Sequence, residues 1–185
     1  MSRLLLSLPL ILLSSMILLA EQPRGFDVVD KDGAIVKPEH LSAAERAPDF
    51  TLMDLDGKRV KLSDAIKKGP VLIDFWATWC KPCLQELPHV NELYRKHREQ
   101  GLQVFAITID SPKSQSKVKP FIKGQGYEFT VLLDQDSEAR KLFGGKDVPL
   151  TILIDRKGEV VFRHLGYVPG DEKSLEEKVG KLVIK

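Results

Sequence analysis

Apolar and polar positions divide the chain into three stretches. Arg3 is followed by an apolar run from Leu4 to Ala20, interrupted only by Ser7, Pro9, Ser14 and Ser15. About 17 apolar residues lie near the lower limit for crossing a bilayer, and an apolar run behind a basic residue also has the layout of an export signal. Ala20 suits a cleavage site while Leu18 suits it poorly. Residues 1–20 therefore read as a signal peptide or as an N-terminal membrane anchor through residues 4–20, and either places the remainder outside the cytoplasm. Residues 21–46 are polar and weakly periodic, with Pro23, Gly25, Gly33 and Pro38, which is the pattern of a linker.

From Ala47 the pattern becomes that of a folded domain covering residues 47–185. Phe50 to Leu52 and Arg59 to Leu62 flank Asp54-Leu55-Asp56-Gly57-Lys58, a hairpin with Asp and Gly in its turn. Ser63 is placed to cap a short helix through Ile66 that Gly69-Pro70 ends. The near-continuous apolar run Val71 to Ala77 predicts a strand covered on both faces. A helix follows from Cys80 to about Gln100, with Leu84, Leu87, Val90, Leu93 and Tyr94 at helical spacing and Pro88 inside it as a source of a kink. Leu102 to Ile109 predicts a second buried strand, then a helix from Lys113 to Lys123, a strand from Phe129 to Leu133 and a short helix from Glu138 to Phe143. Leu150 to Ile154 and Val160 to His164 form a hairpin about Asp155-Arg156-Lys157-Gly158, and Asp171 to Val183 is an amphipathic helix. Strands alternating with helices, followed by an antiparallel pair, predict an α/β fold: a mixed central sheet with helices on both faces.

Composition changes this picture little. At 185 residues, 43% hydrophobic and 29% charged, the chain suits one globular domain plus an extension. A net charge of +2, with basic and acidic residues interleaved, gives no reason to expect nucleic acid. Of four histidines, His40, His89, His97 and His164, none receives a catalytic role.

The candidate chemistry lies where the first buried strand meets the long helix, at Trp79-Cys80-Lys81-Pro82-Cys83. The chain has 2 cysteines and both are here. Sulfurs separated by two residues at a helix start can close a small disulfide, and the first can be held as a thiolate by free N–H groups and the helix dipole. Pro82 fits the first helical turn, where its missing N–H costs nothing. Half a zinc site would look the same, but no second C-x-x-C or H-x-x-x-H completes one, so thiol-disulfide exchange is the better reading. Asp74, a carboxylate in the middle of the apolar strand, is expensive to bury unpaired and should have a raised pKa if it is buried. Its alternative is a strand residue reaching solvent at a sheet edge.

On these residues the chain from about Ala47 onward resembles the thioredoxin superfamily, and within it the TlpA-like extracytoplasmic thiol-disulfide oxidoreductases. The general signature is Asp74-Phe75-Trp76-Ala77-Thr78-Trp79-Cys80-Lys81-Pro82-Cys83. The subgroup signature is Ala47-Pro48-Asp49-Phe50, Glu86-Leu87-Pro88, and Val148-Pro149-Leu150-Thr151 before Ile154-Asp155. The helix and strand between Asp110 and Asp134 are similar to the subgroup's insertion into a thioredoxin-like fold. Ala47-Pro48-Asp49-Phe50 also opens many peroxiredoxins, but a peroxidatic cysteine lacks a C-x-x-C partner.

The resemblance implies roles for the candidates. Cys80, beside the cationic Lys81, is expected as the exposed nucleophile and Cys83 as the resolving thiol. Asp74 is implied as the proton acceptor for Cys83, and Glu86 as a contributor to the acid-base properties of the site. Trp79, Lys81, Pro82, Val148 and Pro149 are expected to meet the polypeptide substrate, with Pro149 as a cis-proline facing the disulfide and Trp79 as an exposed platform; Trp76 packs in the core. The redox-active Cys80–Cys83 disulfide is expected to serve with no cofactor or metal. The implied function is reduction of disulfides in exported proteins such as apocytochrome c, with electrons from a membrane thiol-transfer protein, by a monomer of the periplasm or cell envelope. An oxidase or general exchanger could use the same site, and a copper or metal chaperone built on Cys80, Cys83 and a histidine such as His89 is the alternative from another class.

Overall fold

In a computed structural model of the protein, residues 45–183 are described, together with residues 28–29 and 35–36. The chain divides into two units, Met1–Pro38 and Glu39–Lys185. In the first, the described strands β1 (Val28–Val29) and β2 (Ile35–Val36) pair antiparallel, Val28 opposite Val36, inside the stretch expected to be a linker. The expected signal or anchor, residues 1–20, lies outside the described residues. Among the described residues no helix is long and apolar enough to cross a membrane.

The second unit holds β3 (Thr51–Asp54), β4 (Arg59–Lys61), α1 (Leu62–Ile66), β5 (Val71–Trp76), α2 (Lys81–His97), β6 (Gln103–Thr108), α3 (Val118–Gln125), β7 (Thr130–Leu133), α4 (Glu138–Leu142), β8 (Leu150–Ile154), β9 (Val160–Leu165) and α5 (Glu172–Val183). Seven of the strands form one mixed sheet in the order β4-β3-β7-β6-β5-β8-β9. β5 runs parallel to β6 and antiparallel to β8, so it lies inside the sheet with a neighbour on each side. That explains its unbroken apolar sequence, since both of its faces must be buried.

Period-two alternation sorts this strand between two cores. Val71, Ile73 and Phe75 join Leu62, Phe105, Phe143 and Ile152 on one face. Leu72 and Trp76 join Cys83, Leu87, Val90, Leu175 and Val179 on the face covered by α2 and α5. Asp74, between Leu72 and Trp76, therefore points under α2. The same alternation in β8 sends Leu150, Ile152 and Ile154 to the first core and leaves Thr151 and Leu153 toward α2.

The expected elements are present, with local differences. α2 runs through Pro88 from Lys81 to His97 and ends in a 3-10 turn, Arg98–Gln100. A 3-10 turn, Gln115–Lys117, also precedes α3. Ser63 does not cap α1: the helix follows directly on β4, its N-cap position is Lys61, and the Ser63 N–H is taken instead by the Asp49 carboxylate at 3.0 Å. Both hairpin turns use the expected Asp. Asp54 Oδ1 accepts the Asp56 and Lys58 N–H groups, and Asp155 Oδ1 accepts those of Lys157 and Glu159. Glu45 and Ala47 are hydrogen-bonded to the second hairpin through Val160 and Gly158.

Candidate active site

β5 ends at Trp76, and the short segment after it carries the cysteines to the start of α2. Asp110, just beyond β6, anchors this segment. Its carboxylate accepts the Thr78 N–H at 2.8 Å and the Thr78 hydroxyl at 2.7 Å, with Thr108 Oγ1 donating from below at 2.8 Å. Burial alone would raise the Asp110 pKa, but these hydrogen bonds outweigh it and hold the carboxyl below its usual range. The sequence reading passed over Asp110; a lone Asp ending an apolar strand two residues after a Thr was its only signal.

Cys80 and Cys83 form a disulfide. Cys80 is the N-cap of α2 rather than its first helical residue, and the Cys83 N–H points at its sulfur at 3.3 Å. Backbone donors at a helix start are what a thiolate needs at that position. Contrary to the expectation of an exposed sulfur, Cys80 is only 5% exposed, although Cys83 is at 0%. The loop before β8 lies against Cys80, with the Val148 carbonyl oxygen 3.6 Å from Cys80 Sγ. The Val148–Pro149 peptide is cis. Pro149 is buried and Val148 partly so, while Lys81 and Pro82 are exposed. Trp79, next to Cys80 in the chain, stands out at 64% exposed, whereas Trp76 is fully buried and packs against Phe121 with the rings tilted.

Two carboxyls are buried on the side of the sheet and α2 that carries Cys83. Asp74 is 0% exposed in an interior strand, which excludes the sheet-edge alternative. Among the described residues neither of its oxygens has a hydrogen-bond partner. Desolvation, then the nearby Glu86 charge, raises its pKa well above the ordinary carboxylate value. Glu86 is 4% exposed, so it lies on the buried face of α2 that also carries Cys83 and Leu87. Thr151 Oγ1 donates to Glu86 Oε1 at 2.7 Å, while Oε2 is unpartnered among the described residues. Burial raises the Glu86 carboxyl to about 7, with Asp171 adding to the rise and the Thr151 bond working against it. Two carboxyls this close titrate as a coupled pair. Thr151 is a second residue that sequence reasoning missed as a partner, because only the pairing of β8 with β5 brings it under α2.

A disulfide at a helix start, with two carboxyls buried on the same side of α2 and an exposed Trp79 next to it, is equipment suited to thiol-disulfide exchange. Residues 43–163 match the AhpC/TSA family. The chain belongs to that family of thioredoxin-like proteins. Curated relatives are named as thiol-disulfide oxidoreductases. Thiol-disulfide oxidoreductase ResA of Bacillus thuringiensis is 37% identical over 150 residues, 81% of this chain and 84% of that protein. ResA of Bacillus anthracis is 35% identical over the same length, 81% of this chain and 82% of that protein. Among solved structures, a Chlorobium tepidum protein described as a thiol:disulfide interchange protein DsbE superposes with a TM-score of 0.70 at 36% identity, covering 76% of this chain and 96% of that one. Like these relatives, the protein is a thiol-disulfide oxidoreductase with a TlpA-like, thioredoxin-like fold.

Proposed function

We propose that the protein reduces disulfides in exported proteins, such as the cysteine pairs of apocytochrome c, outside the cytoplasm. The Cys80–Cys83 dithiol is the redox group, without a further cofactor. Cys80 thiolate attacks a substrate disulfide, a mixed disulfide forms, and Cys83 displaces the reduced substrate. Asp74 and Glu86 take up the Cys83 proton as a pair. Trp79, Lys81, Pro82, Val148 and Pro149 receive the substrate chain around the sulfur. A membrane thiol-transfer protein would re-reduce the disulfide, and residues 1–20 would export the domain or tether it as a monomer to the membrane surface. The pairing of Cys80 with Cys83 argues for dithiol exchange over a lone peroxidatic thiol.

The observation that carries the direction is the buried carboxyl pair on the Cys83 side of α2. A donor N–H at Cys80 favours thiolate and hence an oxidising couple, which is the one feature that suits the oxidase reading. The buried carboxyls that share the core with Cys83 act the other way once they ionise: they disfavour thiolates, leave the reduced form less stabilised and make the couple more reducing. Being buried, the carboxyl pair acts with little screening by water.

Two measurements test this. The reduction potential should be more negative than about -180 mV, and a value near -120 mV would overturn the reductase reading. In cells, Cys83→Ser should accumulate mixed disulfides through Cys80 with exported dithiol proteins, and Cys80→Ser should capture none. Equal capture by both variants would refute Cys80 as nucleophile, and a purely cytosolic protein on fractionation would remove the export reading.

A further inference from the structure

A proton taken up by Asp74 and Glu86 sits on buried carboxyls, so turnover needs a way out. Between the sheet and the α2 and α5 helices, Glu86 lines a cleft of about 10 Å³, on the scale needed to seat one water molecule. Its other polar lining includes Thr151, His164 and Asp171. Strand register explains why these meet. Asp74 lies opposite Thr151 across β5 and β8, and Thr151 lies opposite His164 across β8 and β9. Directly opposed residues project to the same face, so the three form a row from the buried interior of the sheet to its β9 edge. α2 sets Glu86 above this row, bonded to Thr151.

At the outer end His164 Nε2 lies 3.0 Å from Asp171 Oδ2, and the two side chains are 31% and 29% exposed. Charged and titrating groups line the cleft with His164 from each packed element: Glu86 and His89 from α2, Asp171 from the turn before α5, and Glu172 from its first residue. Glu172 is engaged by the Tyr167 hydroxyl and the Gly170 N–H, and His89 stands 3.7 Å from Glu92. Asp171, which also accepts the Val168 N–H, is thus the carboxylate committed to His164.

We propose that the His164–Asp171 pair is the proton outlet of this site, exchanging protons with Glu86 through a water seated in the cleft. The inference rests on the proposed role of Asp74 and Glu86. The resolving step needs an ionised acceptor, so Glu86 first sheds the proton it holds through the cleft water to His164, and the Cys83 thiol then gives its proton to Glu86. The Cys83 thiolate then bonds to Cys80 sulfur, the bond between Cys80 and the substrate breaks, and its electron pair leaves with the substrate sulfur. The proton shed by Glu86 is received on the free ring nitrogen of His164. The imidazolium, held by Asp171, releases a proton to solvent. The substrate disulfide is the only oxidant required.

The alternative is a tie that merely holds β9 to α5, and chemical rescue separates the two. Reduced full-length protein is mixed with one equivalent of dithiobis(nitrobenzoate) in dilute buffer. The first nitrothiobenzoate released reports attack by Cys80, and the second reports resolution by Cys83. In H164Q and D171N the second phase should slow about tenfold, within the range of a positioned acid-base group, while the first phase is unchanged. Added imidazole should restore the second phase in H164Q. Resolution by H164Q at the wild-type rate in dilute buffer, or slow resolution that imidazole fails to restore, would overturn the outlet. E86Q distinguishes the underlying reading: an unchanged second phase in E86Q refutes the carboxyl pair and the outlet together, whereas slowing in E86Q but not in H164Q or D171N refutes the outlet alone.

Discussion

Replacing Glu86 by Gln should make the oxidised protein resistant to a loss of stability that the wild type suffers as pH rises. Gln keeps the size of the side chain and can still accept from Thr151 Oγ1, so the substitution removes little besides the titrating group. The Glu86 carboxyl is raised from 4.5 to about 7 in the folded protein, first by burial. Over that window the native state holds a proton that the unfolded chain has lost. The stabilisation is therefore complete below about pH 4.5 and is lost as pH rises through about 7, amounting to about 3 kcal/mol at about 1.4 kcal/mol per pH unit. Asp74 is raised as well and contributes with the same sign. Disulfide-bonded cysteines do not titrate, so they add nothing to the slope. The assay is urea unfolding of the oxidised protein, followed by Trp fluorescence from about pH 4 to about pH 9. Wild type should lose about 3 kcal/mol or more across the window, and E86Q should lose about 3 kcal/mol less. Parallel stability curves for the two proteins would refute a buried, proton-holding Glu86.

Thr151→Val removes the hydrogen bond that works against the raised Glu86 pKa, so the carboxyl should titrate higher still; isotope-edited infrared spectroscopy of the carboxyl would follow it, and an unchanged midpoint would count against the bond. Asp110→Ala strips the Thr78 N–H and hydroxyl of their acceptor and should cost about 2–3 kcal/mol in denaturant unfolding, as expected for buried groups left unpaired, with Asp110→Asn costing less. A loss under about 0.5 kcal/mol would show that the loop does not need this anchor. Gly69→Ala should cost about 1–3 kcal/mol, because the added Cβ would lie 2.0 Å from the Gly101 carbonyl oxygen, backbone that cannot step aside. Gly124→Ala, in α3 with nothing within 4 Å of the added carbon, should instead be neutral or stabilising by up to about 1 kcal/mol, and equal thermal midpoints for these two variants would contradict the packing at Gly69.

Much of the molecule could be read from the chain because it follows from local physics. The unbroken apolar run of β5, the 3.6-residue periodicity of α2 and the Asp and Gly of the two hairpin turns each specify their element without distant partners. The Cys80-Lys81-Pro82-Cys83 spacing at a helix start likewise determined that the sulfurs can close on each other. What tertiary structure decided was the environment of each group. Asp74 could have reached solvent at a sheet edge until the strand order placed β8 on one side of β5 and β6 on the other. Glu86 could have faced water until the rotation of α2 turned it onto the sheet, where Thr151, 65 residues further along the chain, became its partner. Asp110 and the His164–Asp171 pair were invisible for the same reason: their partners are assembled by strand register and helix packing. Sequence spacing conveys which side chains share a face, but burial, dielectric and hydrogen-bond partners come from elements far apart in the chain, and it is these that set where a proton resides.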